Sequence, residues 1–131
     1  MGHYKVDATS RPGILMLEVE GALSNEEMHA FVLEHNTAID ALRGAAYRVF
    51  CNLRNMQPLS PEASQQFLLA KQYSAAHPNF EGSAVLVASS LIAMQHRRTS
   101  VEGGVMESEL ISDDEAACWA HLRRVQRSRA R

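Results

Sequence analysis

Two short stretches hold the side chains most able to do chemistry. The first is "CNLRNMQPLSPEAS", residues 51–64, where an apolar run ends at Asn52 and Ser60-Pro61-Glu62 opens what reads as a helix. A strand-to-helix corner of this kind can carry a phosphate, a nucleophile or a regulatory serine. Ser60 needs a neighbouring base to act as a nucleophile, and none is evident nearby in sequence. As the residue before a helical proline, its hydroxyl instead caps the helix. Cys51 sits in an apolar run, where a thiol stays protonated and inert. The second stretch is Gln95-His96-Arg97-Arg98-Thr99-Ser100, which has the form of a basophilic kinase site and reads more plainly as a solvated helix face.

Other chemistries are missing from the pattern. There is no glycine-rich phosphate loop, no H-E-x-x-H, no C-x-x-C and no G-x-S-x-G. The six histidines lack paired metal spacing, and Cys51 and Cys118 are far apart, as reduced thiols of a cytoplasmic protein would be. No catalytic residue, metal or cofactor is expected, and the chain is expected not to be an enzyme. An enzyme using Ser60 or Cys51 is the reading from the opposite class.

The elements that must position these residues follow from periodicity. "YKVDAT" (4–9) and "ILMLEVEG" (14–21) flank the turn Arg11-Pro12-Gly13 and predict a hairpin. Ser24 and Glu27 form a capping box, followed by Met28, Phe31, Val32, His35, Ile39 and Leu42 at helical spacing. His35 therefore falls on an apolar stripe, as a packed, hydrogen-bonded residue at the core's edge. "AYRVFCNL" (46–53) and "SAVLVAS" (83–89) are buried-strand runs, and "VMESELI" (105–111) alternates like a half-exposed strand. A helix from Ser60 to about His77 and another over "SLIAMQHRRTSV", stopped by Gly103-Gly104, lie between them. Ser112-Asp113-Asp114-Glu115 reads as a second capping box, opening a last helix through Trp119 and Leu122. Trp119 is expected to be mostly buried against Met106, Leu110 and Leu122. The order ββαβαβαβα predicts an α/β sandwich with a mostly parallel sheet, an antiparallel N-terminal hairpin and about four helices.

Composition bounds the rest. At 131 residues the chain has the length of one domain, with a core from about residue 4 to 122, and can bury roughly two-thirds of its unfolded surface. Hydrophobic residues make up 46% and charged residues 21%, and the net charge of −2 argues against nucleic acid as the partner. No apolar run reaches membrane-spanning length, and the N-terminus lacks the apolar stretch of a signal peptide. Five arginines crowd the last nine residues (Arg123, Arg124, Arg127, Arg129, Arg131) and read as a solvated basic tail.

The element order and three local stretches resemble the SpoIIAA-like branch of the STAS superfamily, the anti-sigma-factor-antagonist fold of bacteria. The stretches are "VLVASSLIAMQHRR", "ELISDDEAACWAHL" and the corner after the third strand. In the regulatory members that corner reads roughly Asp/Asn-Leu, six residues, then Asp-Ser-Ser-Gly, and a kinase phosphorylates one serine. Here Asn52-Leu53 matches the start and Ser60 falls on the aspartate position. Pro61 and Glu62 occupy the two serine positions, and Ala63 replaces the glycine. Both acceptor hydroxyls are gone, so the resemblance implies a binding or regulatory module without the phosphorylation switch. Glu62 places a fixed carboxylate on a helix N-terminus, where the macrodipole favours it. The related CRAL-TRIO (Sec14-like) carriers share a similar topology and imply an alternative, a small apolar or lipid-like ligand. In open α/β sheets ligands sit beyond the strands' carboxyl ends. Arg54, Asn55, Ser60, Glu62, Arg97 and Arg98 are accordingly the expected binding residues. The expected occupant is a protein partner, a second copy of the chain, or a small apolar molecule.

Overall fold

A computed structural model describes residues 2–129 and, in the last helix, side chains through Gln126. Strands β1 (His3–Asp7) and β2 (Ile14–Glu20) pair antiparallel, and β3 (Tyr47–Asn52), β4 (Phe80–Leu86) and β5 (Glu109–Ser112) continue the sheet in parallel. The strand order is the chain order, β1-β2-β3-β4-β5. Helices α1 (Asn25–Ala41), α2 (Pro61–Ala75) and α3 (Ser90–Gly103) cover one face, and α4 (Glu115–Arg129) covers part of the other. Arg127 and Arg129, of the expected basic tail, belong to this helix with side chains outside the described residues, as is the whole of Arg131.

The pleat sorts the strand residues between two cores. Leu15, Leu17 and Val19 of β2, with Val49, Cys51 and Val85, face α1–α3 and form the larger core around Phe31 and Phe67. The alternate set, Ile14, Met16, Phe50, Ala84 and Leu86, meets Cys118, Trp119 and Leu122 of α4. An apolar run such as "VFCNL" is thus buried on both faces, as parallel strands require.

Local signals act where the sequence places them. The Ser24–Glu27 capping box is formed in full. Ser60 Oγ accepts from Ala63 N at 3.1 Å with Pro61 at the first helical position. Gly104, at φ +83°, ends α3 in the left-handed conformation that glycine adopts without penalty.

Four expectations need correction. Residues 106–108 form a 3₁₀ turn, so β5 is shorter than the alternation of 105–111 implies, and Met106 is exposed. The second capping box does not form. Ser112 ends β5, and Asp114 caps α4 by accepting from Ala116 N at 3.0 Å. Trp119 is half-buried, because the tight turn carries Met106 away from it. One ring face stacks on Phe50 at 4.5 Å, and the Arg11 guanidinium lies 4.4 Å from its ring centroid. Indole Nε1–H donates to Glu115 at 3.2 Å. β4 also starts at Phe80, three residues before the apolar run, because Phe80 and Gly82 pair with Tyr47 and Arg48 across a bulge.

Candidate functional site

The corner after β3 is pinned on both sides. Asn52 Oδ1 accepts from Arg54 N at 3.0 Å, turning the chain, and the Arg54 guanidinium bonds Glu115 of α4 at 2.8 Å. Gly21 N donates to Asn55 O, and Gln57 N donates back to Gly21 O, tying the loop to the end of β2. The Asn55 side chain donates to Glu20 at 3.4 Å. On the other side Gln95 of α3 holds Leu59 with two bonds, accepting from its N at 2.9 Å and donating to its O at 3.0 Å.

The six expected residues therefore fall into three groups. Arg54 and Asn55 face Glu115 and Glu20. Ser60, Glu62 and Arg98 lie around the start of α2 and the neighbouring face of α3. A groove of about 490 Å³ runs there between Pro61, Leu68, Leu91, Met94 and Arg98. Arg97 points to a separate hollow of about 520 Å³ at the carboxyl ends of β4 and β5, beside Ser89, Ser112 and Asp113. Ser60's hydroxyl is engaged in capping. Burial pushes the Cys51 thiol up to about 12, so neither side chain is an activated nucleophile.

A second constellation lies behind α3, and the reading of residues 95–100 as a solvated face misses it. Arg97 and Arg98 are exposed, but His96, Thr99 and Ser100 are almost wholly buried. Lys71 of α2 reaches beneath them, its ammonium 2.9 Å from Thr99 Oγ1, 2.8 Å from Ser100 Oγ and 3.1 Å from the His96 carbonyl. Glu109, at the start of β5, completes an ion pair with Lys71 at 3.5 Å and accepts from Ser83 at 3.0 Å and from Ser100. Gly103 makes this reach possible, since a Cβ there would lie 2.7 Å from Lys71 Cβ. The cluster joins α2, α3, β4 and β5, which lie far apart in sequence.

Burial holds the Lys71 ammonium below its usual range despite the attraction of Glu109. Desolvation, then the Lys71 charge, holds His96 well below 6.5. Desolvation lowers His35 too, whose Nδ1 bonds Asn36 Oδ1 at 2.7 Å. Both imidazoles hold a proton less readily in the folded state than in the unfolded chain, which takes protons up as pH falls through 6.5. The unfolded state then binds more protons, so acidification destabilises the fold. The urea midpoint should fall between pH 7.5 and pH 5, above the range in which Glu27 and Glu115 titrate when unfolded. An unchanged midpoint would show that burial does not weaken proton binding at these histidines.

Among the described residues no group of three or more His, Cys, Asp or Glu side chains is placed to hold a metal ion, and no helix is long and apolar enough to cross a membrane.

A mixed five-stranded sheet in chain order, with three helices on one face and a fourth on the other, is a SpoIIAA-like fold. Among solved structures, the chain is similar to an uncharacterised protein of the DUF3478 family with a SpoIIAA-like fold from Shewanella loihica PV-4. The TM-score is 0.64 at 12% sequence identity, over 91% of each chain. No protein-family model matches the sequence, and no curated protein matches it.

Proposed function

We propose that this protein is a non-catalytic, STAS-like binding module of a bacterial cytoplasm, which acts by docking a protein partner over the start of α2 and the outer face of α3. The observation that carries this reading is the groove between those helices. Leu91 and Met94 are 52% and 63% exposed along it, an unusual outlay of apolar side chain on one short helix. Arg98 and Glu102 line it with charge, and the two hydrogen bonds between Gln95 and Leu59 brace its floor. The capped Ser60 and the protonated Cys51 weigh against the enzyme alternative, and two free buried thiols suit a reducing compartment. The carrier alternative has less support, because the apolar cavity beneath α2 and α3 measures about 40 Å³. That is a small fraction of the several hundred Å³ of an ordinary ligand pocket.

The test is affinity capture from the source cell, followed by titration of the captured protein against single variants. Met94→Glu, Glu62→Lys and Arg97→Glu should each leave the melting temperature unchanged. One or more should weaken binding by about 1 kcal/mol or more, with Met94→Glu the largest effect. Asn55→Ala, on the pinned side of the corner, should bind like the parent. Equal affinity across the whole set would move the interface elsewhere.

A further inference from the structure

The Lys71 cluster has one open valence. Lys71 is an ammonium with donors only, so the His96 Nδ1 it faces at 3.3 Å must be the unprotonated nitrogen. A neutral imidazole then carries its proton on Nε2. The remaining groups are accounted for: Thr99 donates to the His96 carbonyl at 2.9 Å, and Ser100 and Ser83 donate to Glu109. Among the described residues two buried polar atoms lack a hydrogen-bond partner, the Tyr47 hydroxyl and, in this cluster, His96 Nε2, although His96 is 1% exposed. An orphaned buried donor costs about 1–3 kcal/mol, so natural cores seldom keep one.

The same ring lines the 40 Å³ cavity between the sheet and α1–α3, and so does Ser74 of α2. Ser74 has capacity to accept. His35 Nδ1–H donates to Asn36, leaving His35 Nε2 as an acceptor for the Ser74 hydroxyl at 3.4 Å, and the Ser74 oxygen, which also lies within reach of the Tyr47 hydroxyl, can accept in turn. A water needs about 10–15 Å³ and at least two polar partners, so the cavity has room for about three.

We propose that this cavity is a water-binding site, in which an internal water accepts from His96 Nε2–H and donates to Ser74 Oγ, joining α3 to α2 through the core. A dry cavity is the alternative to be tested, since most of its wall is apolar (Leu17, Val49, Phe67, Val85). Phe67 meets the His96 ring edge-on at 4.7 Å, and an N–H directed at that ring would leave the space empty.

The experiment is a crystal structure of the whole protein near 1.5 Å resolution, a second crystal pressurised with xenon, and long-range ¹H–¹⁵N spectra of the histidines. The expected results are a water oxygen about 3 Å from His96 Nε2, no xenon at the site, and the Nε2–H tautomer. Xenon in place of water, or the Nδ1–H tautomer, overturns the proposal. His96→Phe keeps a ring and removes the donor, and should lose that water. A water retained in His96→Phe also overturns the assignment. Should the variant fail to fold, the parent crystals and spectra decide alone.

Discussion

Lys71→Met should lower the unfolding free energy by about 3–5 kcal/mol, the largest loss expected from a polar substitution in this protein. The Glu109 side chain is 3% exposed and the Lys71 side chain 10%. Removing the ammonium therefore strands a carboxylate where water cannot reach it. The pair's existence is weak evidence of net stabilisation, because burial charges a desolvation penalty that the mutual attraction barely offsets. The discriminating variant is the double substitution Lys71→Met/Glu109→Gln. It removes both charges and keeps an acceptor for Ser83 and Ser100. It should be more stable than Lys71→Met alone, with a coupling of about 1–3 kcal/mol measured by urea unfolding. If the two single losses simply add, the pair is not coupled and the ammonium is solvated in solution.

Leu122→Ala should cost about 3–4 kcal/mol, although it lies in the smaller core. Helix α4 is alone on its side of the sheet, held by Cys118 and Leu122, both fully buried, and by the half-buried Trp119. Arg48, itself buried, reaches through from β3 to donate to the Leu122 carbonyl at 3.1 Å. The helix's polar ties, Arg54 to Glu115 and His121 to the Ser108 carbonyl, cannot replace that buried apolar contact. Trp119→Ala should cost less, because the indole is already partly wet. Amide exchange in α4 should rise before exchange in β3 and β4 does. A Leu122→Ala variant within 1 kcal/mol of the parent would mean that α4 docks by other contacts.

Much of the fold was legible because its determinants are local. Ser24–Glu27, Ser60-Pro61 and Gly104 each set a helix end by chemistry confined to a few residues, and each acts as read. Errors arose where tertiary geometry chose between two local options. Asp114 and Ser112 are both competent caps, and the length of β5 decided between them. Met106 alternates correctly for a strand, yet the chain must turn tightly after Gly104. Little of the candidate site was legible. Lys71 and Glu109 are remote in sequence, and nothing local marks either as buried. Helical periodicity did hold a clue: Ile92, His96, Thr99 and Gly103 recur at spacings of four, three and four, all on the inner face. A polar run around His96 to Ser100 hides that stripe, since Arg97 and Arg98 point the other way.

Because the strands lie side by side in the order in which they are made, the sheet can assemble as the chain leaves the ribosome. Each new strand finds its neighbour already in place, and α1, α2 and α3 close over one side in turn. Domains synthesised at about 5–20 residues per second have time for such stepwise growth. The other side must wait. Phe50 and Leu86 gain their cover only when Cys118 and Leu122 emerge, after all five strands have been made. Until then a nascent chain holds a nearly finished sheet with one greasy face bare, the form in which chaperones would meet it.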